Sequence, residues 1–289
     1  MEEFIDVCRA LWNSVEPDTM LWDYETGRVG DPAKVHDVEH RGQFFKVSGP
    51  LNTPPSPQGR PVLLQAGSSP RGIRACAYVA DMAFAPDMPL QLQIAQRKAL
   101  DEAVAALGRD PQSMGIVWQQ PCVVAETERE AVARRELLLT AIPAEGVGVY
   151  LSHNSGYDFS ALPQRFKIGD LHREIIASQA SPGGFLRELA ARFGAETEIT
   201  REEFFDYGRL FATSYTRTIA GTAAQVADRL EEAFEATGER GGFMLGHVVS
   251  MPGDLAAIAD LLVPELQRRG RFRREYKGTT LRENLFDDD

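Results

Sequence analysis

Residues 61–72, PVLLQAGSSPRG, decide how this chain is read. The run VLLQA is a short apolar stretch of the kind that forms a buried strand, and Gly67, Ser68, Ser69 and Pro70 break it. Ser69 is placed to cap a helix beginning at Pro70, whose missing amide hydrogen falls where no helical hydrogen bond is needed. Ile73, Ala77 and Ala80 recur on one face of that helix. The turn thus offers free backbone amides and two hydroxyls beside the positive end of a helix dipole, which suits a phosphate dianion. The residues alone leave two readings open. Ser69 only caps its helix, or Gly67, Ser68 and Ser69 together hold an anion.

Outward from this stretch the pattern alternates. A strand over 82–85 ends at Pro86, and Leu90, Ile94 and Leu100 mark a helix stopping near Gly108. A strand over 116–125 precedes a helix opened by Thr127 and Glu130 at capping-box spacing. The same spacing recurs at Thr200 with Glu203 and at Thr222 with Gln225. A fourth strand is expected over 242–249, and a last helix over 254–269 bent at Pro264. Helices alternating with buried strands predict an α/β fold with a parallel sheet. Four strands permit either a small doubly wound domain or half of a closed barrel, because an open four-stranded sheet leaves two apolar edges.

Two segments stand outside the alternation. Residues 141–199 read as a long insertion rich in Gly, Ser, Asn and Pro, with one short helix over 184–193. The chain opens on an amphipathic helix carrying Phe4, Val7, Cys8, Leu11 and Trp12, followed by an excursion to residue 60 with a hairpin near FFKV.

The 42 acidic against 31 basic residues give a formal net charge of -11, a field that repels phosphate backbones and anionic membranes. Neither a nucleic acid nor a membrane is an expected partner. Cys8, Cys76 and Cys122 lie far apart with no C-x-x-C pair, so neither a disulfide framework nor a zinc knuckle is expected, and no metal is assigned. No apolar run approaches the roughly 18–20 residues of a membrane span. The acidic start MEEFIDVCRALW is unlike a signal peptide, so a cytoplasmic location is expected.

Five segments taken together, EEFIDVCRALWNS, HRGQFFKVSGPLNTPPSPQGRPVLLQAGSSPRG, GTAAQVADRLEEAF, GGFMLGH and VPELQRRGRFRREYKGTTLRENL, carry a resemblance. The chain resembles the nitrilotriacetate monooxygenase component A group of the luciferase-like flavin-dependent monooxygenases. The resemblance implies a (β/α)8 TIM barrel. The first helix is similar to the one after the family's fourth strand, so residues 1–289 are expected to be the second half of that barrel, a truncated form with the insertion 141–199.

The implied reaction is insertion of one oxygen atom of O2 into a small organic substrate by reduced FMN (FMNH2), delivered by a separate NAD(P)H:flavin reductase, in a homo-oligomer. By the same resemblance Gly67, Ser68 and Ser69 hold the FMN phosphate; the catalytic residues are unassigned. A deazaflavin-dependent oxidoreductase on the same barrel and a noncatalytic half-barrel acting only in assembly are the alternatives.

Other constellations are weaker. His36 and His40 lack an H-E-x-x-H glutamate and are read as loop or hairpin residues. Ser152, His153 and Asp158 share one short segment, whereas triad members converge from separate elements. His153 stays a candidate for substrate contact, as does His247, which follows the last strand at the end where barrel active sites lie. The basic run RRGRFRREYK, residues 268–277, is read as pairing with acidic surfaces within or between subunits.

Overall fold

The computed structural model describes residues 1–180, 183–246 and 251–286. The opening helix α1 (Glu2–Trp12) is followed by two antiparallel hairpins, β1 (Met20–Asp23) with β2 (Arg28–Gly30) and β3 (Glu39–Arg41) with β4 (Lys46–Ser48). The second hairpin is the one expected near FFKV. Glu3 ties it to α1, accepting from the amides of Phe44 and Phe45 and meeting His40 Nε2 at 3.0 Å. His36 meets Glu16 at 2.7 Å, so both histidines are engaged by carboxylates.

The alternating unit then begins with β5 (Leu64–Ala66), α2 (Pro70–Val79), β6 (Met82–Ala85), α3 (Leu90–Ala106), β7 (Gly115–Gln120), β8 (Cys122–Val124) and α4 (Glu128–Ala141). The single strand expected over 116–125 is divided at Pro121, which has no N–H to give a ladder.

Residues 142–214 depart furthest from expectation. They form α5 (Ala144–Ser155), β9 (Arg165–Lys167), α6 (Ile168–Ala177), α7 (Gly183–Phe193), β10 (Glu198–Thr200) and α8 (Arg201–Ala212), with β9 and β10 antiparallel; α7 is the short helix read over 184–193 and α8 the helix opened at Thr200, while α5, α6, β9 and β10 were not anticipated. They bury a core of their own around Val147, Leu151, Ile168, Ile175, Leu189 and Phe204. Phe204 stacks on Phe159 at 5.4 Å between centroids and takes the edges of Phe166, Phe185 and Phe205 at 5.6, 5.2 and 5.6 Å. Helix α5 was hidden because its glycines resemble a turn. Gly148 instead makes room for a ring, since a Cβ there would lie 3.3 Å from Phe205.

The chain returns through β11 (Ile219–Gly221), α9 (Ala223–Ala236), β12 (Gly241–Leu245), α10 (Pro252–Ala257), a π-helical turn over Ile258–Leu262, α11 (Val263–Arg268) and α12 (Leu281–Phe286). The wide turn precedes Pro264, which lacks the amide that a regular turn would use. Of the three capping boxes read from the sequence, those at Thr200 and Thr222 are formed in full, and Thr127 caps α4 by accepting from the Glu130 amide.

The main sheet has the order β12-β7-β6-β5 with every pair parallel, and β11 pairs in parallel with β8 beside it. The short β11 was not anticipated. Register places Ala83 by Ile116, Ala85 by Trp118 and Trp118 by Phe243. This face packs on Cys76, Ala77 and Ala80 of α2 and its C-cap and on Leu100 and Val104 of α3. On the other face Leu64 and Met244 remain 50% and 46% exposed.

At the opposite end from the strand carboxyl termini, Arg60 donates twice to Asp81 at 2.8 and 2.6 Å, and Arg282 of α12 donates to it at 3.2 Å. Burial pushes the Asp81 carboxyl up, but hydrogen bonds from Arg60, the Leu63 amide and Arg282 outweigh that and hold it at about 2. The basic run pairs within the chain. Arg269 meets Asp228 at 2.7 Å, and Arg271 meets Glu231, Glu235 and Glu239 of α9 and its following turn at 3.1, 2.7 and 3.0 Å.

Candidate functional site

In open parallel α/β sheets, ligands collect at the carboxyl ends of strands, where each chain turns into its helix. Here those ends are Gly67 after β5, Pro86 and Asp87 after β6, and Gln120 at the end of β7.

The turn after β5 is built by close backbone approach. A Cβ on Gly67 would lie 2.6 Å from Gly72 Cα, and one on Gly72 would lie 2.8 Å from Gly67 Cα. Only two glycines let the strand exit and the first helical turn meet so closely. Ser69 is the N-cap of α2, its Oγ accepting from the Gly72 amide at 3.1 Å, with Pro70 in the first turn. The Ser68 side chain is exposed and makes no hydrogen bond among the described residues. The amides of Ser68, Ser69 and Arg71 likewise have no acceptor there.

The two sequence readings of this turn therefore concern different residues. Ser69 is occupied as a cap, whereas Ser68 and three amides stand free at a helix amino terminus. That donor set, with Arg71 exposed beside it, fits a phosphate such as that of FMN.

The other candidates lie elsewhere. His153 is exposed in the last turn of α5 and lines a groove of about 840 Å³ with Val149, Arg201, Phe205 and Arg209. All lining residues of that groove belong to 142–214, so the structure does not bring His153 together with Gly67, Ser68 and Ser69. Ser152 accepts from the Phe159 amide at 3.1 Å and Asp158 from the Ser160 amide at 2.8 Å, so both serve local turns. His247 lies outside the described residues.

Sequence reasoning missed a polar node at the strand ends. Arg217, after α8, meets Asp87 at 2.8 Å and Glu188 of α7 at 3.4 Å, and its carbonyl accepts from Gln120 Nε2 at 3.1 Å. The signal was the pair Gln119 and Gln120 closing an apolar strand, together with an aspartate directly after Pro86.

Burial raises the Cys76 thiol to about 11 and the Cys122 thiol to about 12, which removes both as thiolate nucleophiles near neutral pH. Among the described residues no cluster of three or more His, Cys, Asp or Glu is placed to hold a metal, and no helix is long and apolar enough to cross a membrane.

Comparison with known proteins bears on this geometry. The family model described as luciferase-like monooxygenase matches residues 1–240. Dibenzothiophene-sulfone monooxygenase of Rhodococcus erythropolis is 37% identical over 290 residues, which cover 98% of this chain and 61% of that protein. Nitrilotriacetate monooxygenase component A of Aminobacter aminovorans is 33% identical over 286 residues, covering 98% of this chain and 61% of that protein. Among solved structures, a riboflavin lyase with modified FMN and its substrate riboflavin superposes with a TM-score of 0.75 at 29% identity, over 99% of this chain and 60% of that one. The chain spans about three-fifths of the length of the relatives it matches.

Proposed function

The chain belongs to the luciferase-like monooxygenase family, and from that premise we propose that it carries the phosphate-gripping part of a two-component, reduced-flavin-dependent monooxygenase. The observation that carries the proposal is the turn after β5, where the free amides of Ser68, Ser69 and Arg71 and the free hydroxyl of Ser68 meet at the amino terminus of α2.

The phosphate of FMN is the anion this turn takes. Gly67 and Gly72 hold the turn closed, Ser69 fixes the first helical turn, and Ser68 donates to the ligand. Reduced FMN, when bound, supplies the activation of O2, and one oxygen atom passes to a small organic substrate. A separate NAD(P)H:flavin reductase provides the reduced cofactor, and the active protein is a cytoplasmic homo-oligomer.

The fold is assigned accordingly. Residues 1–289 form one luciferase-like domain, whose four parallel strands are an arc of a (β/α)8 wall and whose insertion at the mouth, read from the sequence as 141–199, extends through α8 to the body formed by 142–214. Supporting this, one face of the sheet is packed under α2 and α3, while Leu64 and Met244 on the other are about half exposed, as the lining of a barrel interior would be in an arc. His153 and His247 are retained as substrate-side candidates.

Fluorescence titration of the chain with FMN and with riboflavin tests the proposal. A preference for FMN of roughly tenfold or more is expected from a charge-assisted phosphate contact. Equal affinity for the two ligands would remove the phosphate role. Micromolar binding of both would contradict the arc, which leaves the flavin ring with half its walls.

A further inference from the structure

Residues 142–214 bury their own core, yet among the described residues they meet the strand ends at a charged node around Arg217. Arg217 Nε donates to Asp87 Oδ2 at 2.8 Å, with the two side chains only 20% and 11% exposed. Its Nη1 donates to Glu188 Oε2 on α7 at 3.4 Å, and its guanidinium lies 5.8 Å from the Phe211 ring centroid on α8. The Arg217 carbonyl accepts from Gln120 at the end of β7. Tyr150 of α5 sits in the same neighbourhood. Burial pushes its phenol up, Asp87 adds to that push and Arg217 opposes it. A cleft of about 230 Å³ between α5 and α7, lined by Tyr150, Asn154, Leu186 and Phe211, opens beside the node.

One residue thus touches the ends of two strands and two helices of the separately packed body. A desolvated ion pair is strong when both partners are present and costly when one is neutralised, so it can act as a seat between two bodies. We propose that Arg217 is a positioning residue whose ion pair with Asp87 latches the α5–α8 body onto the carboxyl ends of β6 and β7, so that its strength sets how often the seam beside Tyr150 and Phe211 opens. That the seam borders the reacting flavin rests on the function proposed above; the latch itself does not.

Hydrogen exchange read by mass spectrometry on the full chain tests the latch. Asp87→Asn is expected to raise exchange in α5 and α7 by roughly tenfold, the loss of one hydrogen bond between charged partners, while α2 and α3 keep their protection. Glu188→Gln, with its longer and more exposed contact, is expected to act in the same direction with a smaller factor. Arg217→Lys keeps the charge and should restore part of the protection that Arg217→Met loses. Unchanged exchange in α5 and α7 on Asp87→Asn, or equal loosening of α2, α3 and the helical body, overturns the proposal. Should Asp87→Asn fail to fold, an unchanged α7 in Glu188→Gln overturns it alone. Wild-type chain that prefers FMN no more than riboflavin, yet shows the regional exchange response, refutes the flavin reading and leaves the latch standing.

Discussion

The sheet layer and the helical body are closed by opposite means. Between the sheet and α2, small side chains meet, with Cys76, Ala77, Ala80, Ala83 and Ala85 all buried. The body formed by residues 142–214 is closed by rings, with Phe204 at the centre of Phe159, Phe166, Phe185 and Phe205. Small residues let backbones approach, and close approach is what the turn at Gly67 and Gly72 requires. Aromatic packing fills volume and needs no such approach. One region is shaped to hold a close turn, and the other to pack around a core of its own.

If the two cores are independent, emptying one should spare the other. Phe204→Ala is expected to destabilise the helical body by about 3–5 kcal/mol, the usual cost of a deleted core ring. Hydrogen exchange should then report loss of α5 to α8 with α2 and α3 still protected, whereas a single cooperative loss would erase the distinction. Next in size is Gly67→Ala, which forces a methyl onto the Gly72 backbone and should cost roughly 1–3 kcal/mol in urea denaturation. A neutral result there would mean that the turn is not closed by backbone contact.

Asp81 offers a test from the far end of the sheet. Its folded carboxyl is held at about 2, below the ordinary value near 3.9. A depressed pKa contributes stability that is present above the unfolded value and lost as pH falls through the folded one. Stability against thermal unfolding should therefore fall by about 1 kcal/mol as pH drops from about 4 to about 2, after allowance for solvent screening. Asp81→Asn should remove that pH dependence, and its persistence would place the titrating group elsewhere. Smallest are the serines. Ser69→Ala should lose about 1 kcal/mol as an N-cap, and Ser68→Ala, at an exposed side chain without a partner among the described residues, should leave stability within about 0.5 kcal/mol of wild type.

What could be read from the chain follows the same division. Strands and helices of the sheet layer were legible because each carries a local signal: the apolar run VLLQA, the caps at Ser69, Thr127 and Thr222, and the breaks at Pro86 and Gly108. In the helical body only α7 and the Thr200 cap of α8 were legible, because Gly148 of α5 makes room for the Phe205 ring where its type suggests a turn, and the core joins residues as distant as Val147 and Phe204. The same limit applies to the site. Gly67, Ser68 and Ser69 are neighbours in sequence and announce themselves, whereas Asp87, Gln120 and Arg217 meet only after folding. Sequence could name the turn as anion-friendly and Ser69 as its cap, but the folded chain shows that Ser68 and the neighbouring amides are left free by it among the described residues.

That separation supplies the most direct test of the central claim, that the turn after β5 grips a flavin phosphate. Ser68→Ala is titrated with FMN and with riboflavin beside the wild-type chain, with thermal unfolding recorded on the same samples. The account predicts FMN affinity lower by roughly tenfold, riboflavin affinity unchanged, and an unaltered melting temperature. Equal losses for both ligands, or no loss for FMN, would contradict it.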